Sequence, residues 1–269
     1  RRSREEGADY QQLAAWCGFR EVGTVRFGTG FGSADVWGRA SPRWRVDHAR
    51  PDDGEGLHDL FAECFGHSIS SSLWQWKYGD GRGRGAIVRH EGEVVAHYGG
   101  MSRPMMFFGQ PEMAVQIGDV MVKPSERAAF TRKGPFFLTT AAFLESYIGH
   151  GRAHLLGFGF PNHRHMRLAE KLGLYAHVGR IVEVSWPTSA SARLPRKRVT
   201  GLDRLPEVGA RQAVNWLWKQ MQKDFRDAVI GVRDWSYIRH RYLSHPERDY
   251  DVRMIRDWVS GRPRGIVVL

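Results

Sequence analysis

Apolar and polar positions alternate along this chain at two periods, and the changes from one period to the other mark its elements. Residues 43–49, RWRVDHA, alternate like a first strand, and Pro51–Asp52–Asp53 opens a helix over GEGLHDLFAECFG. Ser70 to Tyr78 predicts a second helix. Gly85 to His90 and Glu93 to Tyr98 read as a hairpin turning at Glu91–Gly92, with Met101 to Phe108 extending the meander. Met113 to Val122, MAVQIGDVMV, is apolar enough for the middle of a sheet, and Pro124 ends it. A helix over Lys133 to Tyr147, a buried strand over Ala153 to Phe160, a helix over His163 to Leu172 and closing strands over Ala176 to Trp186 complete the series. The expected class is α/β (α+β): a mixed, mostly antiparallel sheet flanked by helices.

The pattern also repeats. LAAWCGFREVG, from Leu13, resembles LAEKLGLYAHVG, from Leu168, an offset of 155 residues. Each places a glycine (Gly18, Gly173) where a helix needs a left-handed C-terminal residue. A second pair aligns Tyr78 with Tyr242, an offset of 164, each closing an aromatic-rich helix that precedes two strands. A unit of about 160 residues is a plausible domain size. The expected organisation is a C-terminal remnant of one unit at 1–42, a complete unit at 43–187, a linker at 188–202 and the first half of another unit at 203–269. The start at Arg1 and the apolar finish GIVVL fit a fragment.

Composition narrows the class. Of 269 residues, 42% are hydrophobic and 12% aromatic, ordinary for a folded chain. No apolar run approaches the roughly 20 residues that span a bilayer. Two cysteines, Cys17 and Cys64, allow at most one disulfide, so a reducing cytoplasm is the expected compartment. Forty Lys and Arg against 29 Asp and Glu give a net charge of +11, which suits a phosphorylated cofactor or nucleic acid, or only basic solvated faces. The basic residues are dispersed, so a nucleic-acid partner is not favoured; the dense run Arg193–Arg198 reads as linker, or as a localisation or RNA-binding segment. Metal-ligand spacing, a P-loop, Gly-x-Ser-x-Gly and a catalytic Cys/His pair are all missing, so no metal is expected.

Three segments in order, IGDVMVKPSER, RKGPFFLTTAAFLE and LGFGFPNHRHMRLAEKLGL, resemble the motifs of the GNAT superfamily of N-acyltransferases, and the likeness covers about half the chain. The resemblance implies Met113–Val122 and Ala153–Phe160 as adjacent parallel strands that splay, acetyl-CoA or another acyl-CoA as co-substrate and an unidentified amine as acceptor. It places Met121 and Val122 against the pantetheine arm and the thioester. It puts Arg127, Arg132, Lys133, Gly134, Pro135 and Phe136 around the pyrophosphate. Phosphate suits a helix N-terminus, where free N–H groups and the positive dipole end converge. The loop from Arg127 to Gly134 is longer than the family's Arg-x-x-Gly-x-Gly.

Asn162 is a natural N-cap, to which the resemblance adds contact with the cofactor arm. Asp119 lies two residues before Met121; it is a candidate to take the proton from the amine, or else pairs with a nearby arginine or caps a turn. Ala169 stands where the family carries a tyrosine that protonates the departing thiolate, and Tyr175 is the candidate replacement, against a packing role. Trp74, Trp76 and Tyr78 line a pocket or fill the core. The function expected is acyl transfer from CoA to an amine by direct attack, because no activated nucleophile is visible. The alternatives are a tandem GNAT-type ligase using aminoacyl-tRNA on peptidoglycan precursors, and a catalytically inactive binding module of the same fold.

Overall fold

A computed structural model describes residues 20–26, 33–38, 42–127, 134–185 and 197–269. The chain divides into units 1–45 and 46–269. The smaller unit holds an antiparallel hairpin of β1 (Arg20–Arg26) and β2 (Ser33–Gly38), in which Arg20 faces Gly38 and Arg26 faces Ser33.

In the larger unit the elements start and stop where their end residues dictate. β3 (Arg45–His48) leads through a short turn at Pro51–Asp53 into α1 (Gly54–Phe65). Gly66 ends α1 at φ +76, returning its N–H to Ala62 O at 2.9 Å. α2 (Ser71–Tyr78) is capped by Ser70, whose hydroxyl accepts Leu73 N–H at 3.1 Å. β4 (Gly83–His90), β5 (Glu93–Phe107) and β6 (Gln110–Val122) form an antiparallel meander. β5 runs unbroken for 15 residues where two strands were expected. Its second half tolerates Pro104 because the β4 ladder ends at Met101 and the β9 ladder starts only at Met105; between them Pro104 serves as acceptor, its carbonyl taking Val232 N–H at 2.9 Å.

α3 (Pro135–Tyr147) begins with proline at its first position. β7 (Leu156–Phe158) follows and lies parallel to β6, Ala114 facing Leu156 and Gln116 facing Phe158. The expected parallel neighbours are present, and their pairing stops at Gln116 although β6 continues six residues further. β7 is shorter and more exposed than the buried strand predicted, because as the edge of the sheet it has a partner on one side only. α4 (His163–Lys171) comes next. Closing strands over Ala176–Trp186 do not appear: residues 176–185 are exposed and join no ladder among the described residues, and Trp186 lies outside them.

The sheet order is β3-β4-β5-β6-β7. One face carries a core of Leu57, Leu60, Phe61, Ile69, Ile87 and Met121 under α1 and α2. The other packs Ala86, Tyr98, Val115 and Phe143 under α3. Beyond it the chain adds β8 (Lys197–Gly201), a turn at Leu202–Arg204, α5 (Glu207–Asp224), β9 (Val229–Gly231), α6 (Trp235–Ile238), β10 (Val252–Asp257) and β11 (Pro263–Val268). β8, β10 and β11 make a second antiparallel sheet, ordered β11-β10-β8, around a core of Leu202, Ala210, Val214, Ile238, Val252 and Met254. β9 joins the first sheet instead, pairing Gly231 with Met105 and Val229 with Phe107 on the stretch of β5 that β4 leaves open.

Candidate active site

The feature that organises the site is a bulge in β6. His97 faces Met121 and Gly99 faces Gly118, so Asp119 and Val120 together oppose Tyr98 alone. Asp119 sits at φ +50, a left-handed conformation that asparagine and aspartate tolerate better than other side chains. Its side chain is held from α2. Lys77 Nζ lies 2.7 and 2.8 Å from the two carboxylate oxygens, and Tyr78 donates its hydroxyl to Oδ2 at 2.6 Å. Its carbonyl accepts from His97 Nδ1 at 2.8 Å. Of the two roles open to Asp119 in the sequence, the geometry therefore displays ion pairing, and the cation is a lysine of α2.

This cluster is packed to leave little slack. Trp74 lies against Tyr78 with ring centres 4.5 Å apart and against His97 at 5.8 Å. A Cβ on Gly99 would sit 2.3 Å from the Tyr78 hydroxyl, and one on Gly85 would sit 2.7 Å from His97 Nε2, so both glycines make room for these rings. Burial, followed by the Asp119 charge, drives the Tyr78 phenol well above its ordinary range. Burial lowers His97 and keeps the ring neutral. Lys77, Tyr78 and His97 were not foreseen as a group; the glycines at 83, 85 and 99, beside an aromatic-rich segment, are the signal that side chains converge there.

Tyr175 lies across the sheet. It packs in the core under α3 beside Ile117 and Val120, and its hydroxyl meets that of Tyr98 at 2.5 Å. Burial pushes Tyr175 up to about 12 and Tyr98 higher still. Asp119 and Tyr175 are thus on opposite faces of β6, one on each side of the bulge. Ala169 is fully buried in α4, so a hydroxyl at that helical position is replaced by packing.

Along the continuation of β6, Met121 is buried against α1, and Val122 O accepts from Arg127 Nε at 2.9 Å and from Cys64 Sγ at 3.3 Å. Burial raises the Cys64 thiol above its ordinary value. Arg127 is close enough to help lower His165, after burial and Arg164, which places it near the start of α4. There Asn162 caps the helix as expected, accepting His165 N–H at 3.0 Å. Arg132 and Lys133 lie outside the described residues. Gly134 is the N-cap of α3 at φ −83, a conformation open to any residue, and has no side chain to occupy the helix end. The first helical bond there runs from Leu138 N–H to Gly134 O at 3.0 Å, so the N–H groups of Phe136 and Phe137 precede it. Among the described residues no group of three His, Cys, Asp or Glu is placed to hold a metal. No described helix is long and apolar enough to cross a membrane.

The buried histidines set a pH dependence. Burial lowers His97 and His154 from the ordinary 6.5, and burial with neighbouring arginines takes His240 to about 4. The unfolded chain then binds more protons than the folded one below about pH 6.5, so stability falls as pH falls through that value towards 4. The melting temperature is expected to drop between pH 7 and 4.5, and His97→Gln should flatten the early part of that slope. A melting temperature independent of pH over this range would contradict these protonation states.

A family description, Acetyltransferase (GNAT) domain, matches residues 45–133. No curated protein matches the chain in sequence. Among solved structures, a conserved protein of unknown function from Enterococcus faecalis, described as a probable N-acyltransferase, superposes with a TM-score of 0.56 at 11% identity. The match covers 84% of this chain and 54% of that one, so the chain spans about half the length of that relative. An acetyltransferase of Trypanosoma brucei matches at 17% identity and a TM-score of 0.40, over 53% of this chain and 99% of its own. A putative acetyltransferase of Agrobacterium tumefaciens matches at 12% and 0.42, over 53% and 99%. The family match begins at β3 and includes α1, α2 and the whole of the bulged strand, so residues 45–133 are similar to an acetyltransferase domain of the GNAT family.

Proposed function

We propose that this domain moves an acyl group, acetyl or longer, from an acyl-CoA to an amine by direct attack. The observation that carries the reading is the fork between β6 and β7. Among the described residues no strand lies beside the β7-facing edge of β6 past Gln116, and the bulge at Asp119 lies within that open stretch. Such an edge can receive an extended pantetheine arm as an added strand. The backbone of Met121 and Val122 would face the thioester. Arg127, Arg132, Lys133, Gly134, Pro135 and Phe136 would surround the pyrophosphate, with the free N–H groups of α3 pointing at it. Asn162 at the start of α4 would close the arm from the far side.

The two faces of the fork have different chemistry, as an acyl transfer requires. An amine approaching from the α2 side meets the Asp119 carboxylate, which takes its proton directly or through water. Lys77 and Tyr78 orient that carboxylate. The thiolate leaves on the α3 side, where Tyr175 keeps its proton at neutral pH and can donate it. Tyr175→Phe should therefore lower kcat about 10- to 100-fold with little change in KM for acyl-CoA, at a stability cost of about 1–3 kcal/mol because the buried Tyr98 hydroxyl loses its partner. The functional test is release of free thiol from acetyl-CoA with a panel of primary amines, compared with the Asp119→Asn chain. Amine-dependent release that Asp119→Asn leaves unaltered would remove Asp119 from the reaction.

A tandem arrangement is part of the same proposal. Apart from β9, which joins the first sheet, β8, α5, α6, β10 and β11 follow the order of β3, α1, α2, β4 and β5, and each set places its three strands side by side in that succession. That order supports reading a second GNAT-like unit that begins at β8, which moves its start from 203 to 197 and leaves 188–196 as linker, with 1–42 as the remnant of a preceding one. The aminoacyl-tRNA ligase reading draws on the same order and on the net charge of +11. It requires RNA binding that weakens steeply with salt.

A further inference from the structure

A group of arginines gathers where β5 meets the α6 segment, without acids among them. Arg103, on β5, faces the same side of the sheet as Asp119 and gives its Nε–H to Gln116 at 2.9 Å. Arg241 follows α6 in a wide turn closed by Ser244 N–H on Arg239 O at 2.8 Å, and its guanidinium lies 5.6 Å from the Trp76 ring centre and 5.9 Å from that of Tyr242. Arg233 lies 4.7 Å over Tyr237. Trp76 anchors the arrangement by stacking on His240 at 4.7 Å and donating to its carbonyl at 2.9 Å.

Among the described residues, Arg103, Arg233 and Arg241 have no carboxylate within 4.0 Å. The acids of the neighbouring turns are otherwise engaged. Asp80 holds Arg82, Asp234 caps α6 through Tyr237 N–H, and Glu247 holds Ser70. Arg82 Nε is itself buried without a partner. Burial lowers Arg103 from its ordinary value, and Arg241 and Arg233 add to that while Tyr237 opposes it. Like charges held together at a partly buried surface cost free energy unless an anion joins them. Planar guanidinium groups are suited to carboxylate and phosphate.

We propose that Arg103, Arg233 and Arg241 bind the anionic group, carboxylate or phosphate, of the amine acceptor. The inference rests on the acyltransferase reading. Arg103 is four residues along β5 from Gly99, which faces Gly118 beside Asp119, roughly 13 Å at the rise of a strand. An acceptor the size of an amino-sugar phosphate spans that gap, given the length of the arginine side chain. The amine end then lies at the fork and the anionic end at the arginines.

The test uses the whole chain saturated with CoA, so that its phosphate-binding positions are filled, and inorganic phosphate as probe at constant ionic strength. Phosphate should raise the melting temperature of the parent, and Arg103→Gln and Arg241→Gln should each weaken that effect about tenfold while leaving CoA affinity unchanged. Without phosphate, both variants should melt at or above the parent, because removing one charge relieves repulsion. In turnover, phosphate should compete with the amine and not with acetyl-CoA. No stabilisation of the parent beyond a chloride control, equal stabilisation of the variants, or competition with acetyl-CoA alone would overturn the proposal. A chain that fails to bind CoA but shows arginine-dependent phosphate binding would instead overturn the acyltransferase reading and leave the anion site standing.

Discussion

Gly134→Asp is expected to cost at least 100-fold in CoA affinity, about 3 kcal/mol, while leaving the protein as stable as before or slightly more so. The two effects have one cause. Gly134 is the N-cap of α3 at φ −83 and ψ 161, a conformation aspartate adopts without strain. Aspartate is a favoured N-cap and glycine a slightly poorer one, so the substitution helps the helix by a few tenths of a kcal/mol. The new carboxylate would accept from the N–H groups of Phe136 or Phe137, the donors assigned here to pyrophosphate, and would set a negative charge where phosphate must lie. Calorimetric titration with CoA, paired with a melting curve, reads both. Unaltered affinity would mean that this helix end holds no phosphate. Lost affinity with a collapsed melting temperature would mean a misfolded variant, and Gly134→Ala, which adds no acceptor, would then be the comparison.

Lys77→Ala has the largest expected effect on stability. Asp119 keeps only 9% of its side chain exposed and Lys77 20%, so removing the ammonium leaves a carboxylate largely out of water and sharing only the Tyr78 hydroxyl. Stripping one partner from a buried pair costs about 3–5 kcal/mol, and the residual exposure of Lys77 places this case near 3. Lys77→Met together with Asp119→Asn should recover much of the loss, because the uncompensated charge is then gone. Denaturant titration of the two variants decides between a charge effect and simple loss of packing. If the double variant is no more stable than Lys77→Ala, the charge is not the cause.

The succession of helices and strands was legible because each rests on local signals: Pro51 and Ser70 at helix starts, Gly66 at a helix end, the apolar run of Met113–Val122. The parallel pairing of β6 with β7 followed from the family resemblance and not from a local signal. What was not legible depends on contacts distant in sequence. Met101–Phe108 was separated from Glu93–Tyr98 because glycines and a proline lie between, yet β6 and β9 hold the strand together from both sides. Ala176–Trp186 alternates like strands, but a strand also needs a neighbour, and alternation does not supply one.

The site shows the same division. Asn162 as an N-cap and Asp119 on the central strand were visible in the sequence. The bulge at Asp119–Val120, and the partnership of Asp119 with Lys77 some 40 positions earlier, were not, since both arise from how β5, β6 and α2 meet. Tyr175 was singled out from its position past α4, and only the packing under α3 reveals that its hydroxyl meets Tyr98 on the face opposite Asp119.

The open edge of β6 and the start of α3 are proposed to receive an acyl-CoA together. The most direct measurement is isothermal titration of the unmodified chain with acetyl-CoA, repeated with Arg127→Ala. The account predicts one saturable site, and a loss of about 1–3 kcal/mol in the variant if Arg127, held at Val122 O, contributes a charge-assisted bond to phosphate. No heat of binding, together with a melting temperature that acetyl-CoA and longer acyl-CoAs leave unchanged, would contradict it.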